Sequence, residues 1–342
     1  MIIVNRLLAW GVVPERLIRW VIKRWCLERL QQEEQRRVTN ANHQQKLLQA
    51  LARSDVALST TESQQQHYCV PTAFYQLVLG PYLKYSCGDW SDGVSTLADS
   101  EASMLRLVAE RAQLCDGQRI LELGCGWGSL TLWMAERYPN AEIIAVSHSA
   151  TQKQWIDAQC RERGINNCQV ITQDINEFEA PGVFDRIISV EMFEHVRNYA
   201  ILMQRIRRWC RDDGYLFVHH FCHRNYLYEF DPDEAHSWMA KYFFTNGLMP
   251  ADDTLDHFQQ GWQKQAQWRV NGQHYAKTCE AWLAQLKHHQ AAALAIFREH
   301  SNGMSATLQY AYWKIFILSC AELFATNNGD EWYVKHILWR PE

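Results

Sequence analysis

Along the chain, compact apolar runs alternate with stretches whose apolar residues recur three and four positions apart. Residues 120–123, 141–146, 169–174, 184–190 and 215–219 are the compact runs, separated by turn residues such as Asp116-Gly117, Asn166-Asn167 and Asp212-Asp213-Gly214. Such runs predict buried strands. Residues 129–136, 152–163 and 199–210 have helical spacing instead. Strand and helix in steady alternation predict an α/β sheet of parallel strands covered on both faces.

The ends of the chain follow different patterns. From residue 14 to about 30, Leu17-Ile18, Val21-Ile22 and Trp25-Cys26 recur at helical spacing, with Arg16, Arg19, Lys23, Arg24 and Arg29 between them. This predicts a basic amphipathic helix with two open readings: contact with a membrane surface or lipid, or a cap on the main domain or on a second subunit of a homodimer. Residues 31–66 are polar and predict a connection holding one short helix at 42–51. Residues 1–66 thus form an N-terminal helical segment, and 67–342 the main domain. Residues 67–90 are dense in aromatic and small polar side chains, the mixture expected of a lid. A helix at 96–111 precedes the first strand. Beyond Arg224 the alternation lapses, and residues 226–273, rich in aromatics such as Trp238, Phe244 and Trp262, are expected to cover a substrate. With the helix at 278–300 that follows, the covering insertion spans about 224–300. A helix at 304–324, a turn at Asn327-Asn328-Gly329-Asp330 and a last strand at 331–339 complete the reading.

Composition narrows the classes. The 34 Lys and Arg against 38 Asp and Glu leave a net charge of −4, which offers no electrostatic footprint for nucleic acid. Eleven cysteines, an odd number without C-x-x-C pairs, suit reduced thiols in a cytoplasmic protein. Apolar runs fall short of the ~20 residues of a membrane span. The start, broken by Arg6, lacks a cleavage site and is not read as a signal peptide.

Candidate chemistry gathers where strands end. After residues 120–123 come Gly124, Gly126 and Gly128, glycines that let backbone approach a ligand at a helix N-terminus. The dinucleotide fingerprint needs a third glycine at Ser129, and a P-loop needs a lysine that is missing. Glu122 just before the turn suits a ligand with an ammonium group and no pyrophosphate, which favours S-adenosylmethionine (SAM). The second strand ends in Ser147 and leads to Gln152, so hydroxyl and amide replace the usual ribose-binding acid. Asp174 ends the third strand, as an adenine acceptor or as the N-cap of the next turn. The fourth strand runs into Glu191-Met192-Phe193-Glu194-His195. If Glu191 opens a helical turn, Glu194 and His195 share its face, and together they bind an amine and take its proton. His219, His220, Cys222 and His223 invite a zinc reading, but no second ligand cluster accompanies them. The expectation is one histidine facing the site while its neighbours make structural hydrogen bonds, and no metal.

These motifs together resemble a known family. Residues 121–128, 147–152, 191–195, 217–223 and 327–332 look like the coclaurine N-methyltransferase-like branch of the cyclopropane-fatty-acid synthase superfamily. The resemblance covers most of 68–339. It implies a class I SAM-dependent methyltransferase fold, Rossmann-like, with a seven-stranded, mostly parallel sheet whose last strand is antiparallel. It further implies that Tyr85 and Ser86 close over SAM, that Gly124 and Gly126 meet its amino-acid end, that Ser147 and Gln152 lie near the ribose, and that Asp174 and Ile175 lie near the adenine. Glu191, Glu194 and His195 become the acid–base cluster. The lipid-modifying members use a cysteine in the last long helix, where Cys320 stands. Some hold a bicarbonate, toward which Cys87, Glu191 and His219 or His220 could contribute. The expected activity is methyl transfer to a small-molecule nucleophile, an amine nitrogen before others. The alternatives are modification of phospholipid acyl chains and a non-catalytic SAM-binding regulator.

Overall fold

The computed structural model describes residues 11–40, 42–58, 70–233, 238–300 and 303–342. The first ten residues, and His67 to Cys69 at the start of the expected lid, lie outside them.

Seven strands form one sheet in the order β3-β2-β1-β4-β5-β9-β8. They are β1 (Arg119–Leu123), β2 (Glu142–Ser147), β3 (Cys168–Thr172), β4 (Phe184–Val190), β5 (Cys210–His223), β8 (Trp262–Val270) and β9 (Trp332–Pro341). The first five pair in parallel, and β9 lies antiparallel between β5 and β8. In β1, Ile120, Leu121 and Leu123 are fully buried and point to opposite faces, as expected of a central strand covered on both sides. Ile120, Ile188, Phe217 and Leu338 join one core, while Leu121, Ile187, Leu216 and Ile337 join the other.

Helices close both faces. α1 (Glu15–Thr39), α2 (His43–Leu51), α3 (Thr72–Val78), α4 (Leu97–Arg111), α5 (Ser129–Arg137), α6 (Ala150–Arg163) and α7 (Tyr199–Trp209) precede β5. Thr96, Ser149 and Asn198 cap α4, α6 and α7 by accepting from the N–H of Asp99, Gln152 and Ile201. Between β5 and β8 lie the small hairpin of β6 (Tyr228–Glu229) and β7 (Leu248–Met249) and the short α8 (Trp238–Tyr242). α9 (Gly272–His288), α10 (Gln290–Glu299) and α11 (Ala306–Ala325) pack on one another, and α1 packs against α11.

Several expectations change in the fold. The N-terminal helix runs nine residues past Leu30, through a stretch without apolar rhythm, because Arg29 and Arg36 pair with Glu33 and Arg37 pairs with Glu34 along it. Asp212 to Gly214 do not end an element: Cys210 pairs with Phe184 and Tyr215 with Arg186, so they form a bulge inside β5. The helix expected over 278–300 is two helices, α9 beginning earlier at Gly272. Within the stretch read as covering insertion, Trp262–Val270 is the sheet's edge strand. Its period-two pattern, with Trp262, Ala266, Trp268 and Val270 on one face and Gln263, Gln265 and Gln267 on the other, was hidden among neighbouring aromatics.

Candidate active site

A cavity of about 410 Å³ lies over the carboxyl ends of β1, β2 and β4. One end is walled by Ser147, Gln152, Asp174 and Ile175, its middle by Tyr85, Ser86, Gly124 and Gly126, and its far end by Glu191 and His195. The roof over that end is aromatic: Trp25 of α1, Tyr228, Phe230, Trp238, Phe244 and Phe316. The strand ends therefore deliver the polar residues, and the helical cover and hairpin deliver the apolar ones.

The glycine turn shapes the middle of this cavity. Gly124 has φ +81°, and a Cβ there would fall 2.7 Å from Met192. Gly126 has φ +53°, and the position of its absent Cβ meets nothing within 4 Å. A ligand can thus lie directly on backbone here. Three groups beside the turn are short of partners or charge. Ser129 Oγ, at the start of α5, is buried without a hydrogen-bond partner. Lys84 is buried in the cavity wall with its ammonium on Ser86 Oγ. The buried Glu122 accepts from Thr131 Oγ1 at 2.5 Å, and burial pushes its carboxyl up to about 7. A ligand carrying one carboxylate and one ammonium fits this set. On the far side, Ser147 Oγ and Gln152 Oε1 lie 2.6 Å apart and face the cavity. Asp174 lines the wall and also accepts from Asn176 N at 2.8 Å, so it both caps the next turn and faces the cavity.

Glu191 sits in a nest of donors. Cys87 N donates to its Oε1 at 2.9 Å, His219 Nε2 lies 3.1 Å from the same oxygen, and Tyr275 Oη donates to Oε2 at 2.5 Å. Burial raises its carboxyl above the usual range, opposed by the charge of Lys84 and by these hydrogen bonds. Glu191 has φ +49°, and the helical turn begins only at Phe193. The three residues of the cluster therefore do not share one helical face. Glu194 turns back under the site, where its Oε1 accepts from Phe221 N at 2.6 Å while Oε2 has no hydrogen-bond partner. Burial and the neighbouring Glu191 push it well above the usual carboxylate range, and its hydrogen bond supports β5. His195 does reach the cavity, edge-on to Phe244 with ring centres 4.8 Å apart.

Of the histidines on β5, only His219 meets the cluster. His220 Nδ1 lies 3.1 Å from Phe221 O, and burial lowers its ring to about 4. His223 Nδ1 accepts from Asn225 N and Tyr226 N, and burial lowers it to about 3. Among the described residues no three His, Cys, Asp or Glu side chains converge as a metal site. Cys320 on α11 lines the cavity. Sequence reasoning missed Lys84, Tyr275 and His336. The first stands beside Tyr85, where a lysine reads as a solvated charge until the fold buries it. The other two come from α9 and β9, and nothing local marks them.

The family model of mycolic acid cyclopropane synthetase matches residues 57–334. The (S)-coclaurine N-methyltransferase of Thalictrum flavum subsp. glaucum is 34% identical, over 97% of this chain and 94% of that protein. The cyclopropane-fatty-acyl-phospholipid synthase of Escherichia coli (strain K12) is 27% identical over 79% of this chain and 66% of its own length. The crystal structure of coclaurine N-methyltransferase bound to N-methylheliamine and SAH superimposes with a TM-score of 0.92 at 32% identity, covering 99% of both chains.

Proposed function

The chain belongs to the mycolic acid cyclopropane synthetase family, on its coclaurine N-methyltransferase-like branch, and is a SAM-dependent methyltransferase of small-molecule nitrogen; from this premise we propose that its acceptor is an amine carried on an apolar, aromatic skeleton. The observation that carries the acceptor class is one cavity with a buried carboxylate, Glu191, at the foot of an aromatic chamber formed by Tyr228, Phe230, Trp238 and Phe244. An amine arrives as a cation, which an anion and aromatic faces favour together.

SAM supplies an electrophilic methyl group on a sulfonium. The protein's part is to align and to manage protons. Tyr85, Ser86, Gly124 and Gly126 hold the amino-acid end, with Lys84 toward its carboxylate and Glu122 toward its ammonium. Ser147 and Gln152 hold the ribose, and Asp174 and Ile175 the adenine. Glu191 draws the amine to the foot of the chamber, and His195 on the cavity wall takes its proton so that nitrogen attacks as a free base. Glu194 keeps the end of β5 in place, and Cys320 contributes wall rather than chemistry.

Incubating the protein with SAM and a panel of cyclic and aromatic amines, followed by mass spectrometry, tests this reading. Products one methyl heavier are expected. Glu191→Gln and His195→Ala should each lose at least about 100-fold in turnover while binding SAH as the native protein does. Turnover of phospholipid acyl chains with no amine methylated would overturn it.

The outward face of α1 supports a second, separable proposal. Leu17, Trp20 and Leu27 are exposed there between Arg16, Lys23 and Arg24. We propose that this face rests on an anionic lipid surface, a second copy of the chain being the competing occupant. Among the described residues no helix is long and apolar enough to cross a membrane.

A further inference from the structure

Behind Glu191 runs a chain of hydrogen bonds that the methyl-transfer scheme does not use. His219 Nδ1 lies 2.9 Å from His336 Nε2, and His336 Nδ1 lies 2.8 Å from Arg111 Nη1. The two histidines are fully buried, side by side on the antiparallel pair β5 and β9, where His219 and His336 are register partners. Arg111, in the last turn of α4, is half-buried over the ring of Trp268 at 5.0 Å.

The direction of this chain follows from its last member. A guanidinium only donates. His336 Nδ1 must therefore accept, which leaves its proton on Nε2. That proton is donated to His219 Nδ1, and the His219 proton in turn sits on Nε2 and points at Glu191 Oε1. Both rings are neutral: burial holds each well below the ordinary histidine range, and the charge of Arg111 acts in the same direction. The opposite arrangement needs a proton on Glu191 donated to His219 Nε2, with both ring protons moved to Nδ1. Arg111 cannot receive the proton that His336 Nδ1 would then present, so this arrangement is blocked.

We propose that Arg111 and His336 are positioning residues that set the polarity of the relay, so that Glu191 always faces an N–H and is kept as the carboxylate that receives the amine. The inference rests on the role of Glu191 proposed above. In contact with Glu191 are Cys87 from the loop before α4, His219 from β5 and Tyr275 from α9; Lys84, Glu194, His220 and Cys279 act on it through charge without touching it. Of these, the His219 contact alone can turn from donor to acceptor by a shift of tautomer within a neutral ring, and Arg111 removes that freedom. Because the relay ends on a permanent cation, it is no exit for the amine proton, which leaves by His195 at the cavity.

Selective 15N labelling of histidine and observation of the ring nitrogens test the relay without any variant. In the native protein both His219 and His336 should show the neutral Nε2–H form across the pH range of the folded state. A proton on Nδ1 of either ring overturns the proposal. Arg111→Met keeps the stem over Trp268 and removes the donor. The acid limb of its kcat/KM profile for the amine should move up by about one pH unit, with kcat at high pH little changed. Arg111→Lys, which keeps a permanent donor, should return the limb toward its native place. An Arg111→Met protein that unfolds at the native temperature and keeps the native acid limb would also overturn the relay. Turnover of Glu191→Gln at the native rate would instead refute the role of Glu191, and the ring nitrogens would still decide the direction of the chain.

Discussion

Glu122 illustrates how one residue's surroundings convert a sequence feature into a measurable property. It precedes the glycine turn in β1 and is buried, with its carboxyl pushed from 4.5 to about 7. Between those values the folded protein binds a proton that the unfolded chain has released, so unfolding free energy falls as pH rises through that window. The full shift corresponds to about 3 kcal/mol. Glu101, also raised to about 7 by burial, adds to the same slope. Buried His219, His220, His223 and His336, held below the ordinary histidine range, act in the opposite direction as pH rises through about 6.5, so the Glu122 share is read by difference. In denaturant titrations at pH 5.5 and 8, the stability of the native protein relative to Glu122→Gln should fall with rising pH, the histidines and Glu101 being common to both. The proposed place of Glu122 beside the cofactor's ammonium predicts proton-linked binding: a cation there favours the carboxylate, so calorimetry near pH 7 in buffers of different ionisation heat should show proton release. Of the residues around it, Gly124 and Gly126 were legible because positive φ and close approach demand glycine in any chain. Lys84 was not, because a lysine beside Tyr85 is ordinarily a solvated charge and only the fold buries it.

At the scale of elements, α1 packs one face on the domain and leaves the other exposed. Its inner face packs Ile22 and Cys26 onto the domain, and Arg19 ties it down through Glu280, at 2.6 Å, and Glu322, at 2.8 Å. Trp25 and Arg29 reach the cavity wall. The helix is thus a cap on its own domain and part of the cavity wall. Its outer face keeps Leu17, Trp20 and Leu27 exposed among basic residues. Sedimentation with vesicles containing anionic lipid should carry down the native protein and much less of a Leu17→Ser, Trp20→Ser, Leu27→Ser variant, while neutral vesicles carry down neither. Gel filtration at a dimer's volume, abolished by the same substitutions with no vesicle binding, would assign the face to a second copy instead. The basic helix was readable from its period, yet which of its faces met protein depended on α9 and α11, far along the chain.

The whole molecule places its cavity between two layers built from distant parts of the sequence. The sheet contributes strand ends from residues 119 to 223, and the cover comes from α1, the β6–β7 hairpin, α8 and α11. A ligand bridging both layers should stabilise the fold as a unit. SAH should raise the unfolding temperature in a concentration-dependent way, the gain reaching about 2.7 kcal/mol at a hundredfold excess over Kd. Lys84→Met should show a smaller rise at equal SAH, because the carboxylate loses its partner. By itself the sequence determined the parallel strands β1 to β5, the glycine turn, the cofactor and the strand ends where chemistry gathers, since these depend on local periodicity and backbone freedom. The tertiary structure decided the edge strand β8, the turning of Glu194 onto Phe221 N rather than into the cavity, and the joining of Glu191 with Tyr275, His219, His336 and Arg111. Those outcomes depend on burial and on pairings between residues up to 225 positions apart, which no local pattern encodes.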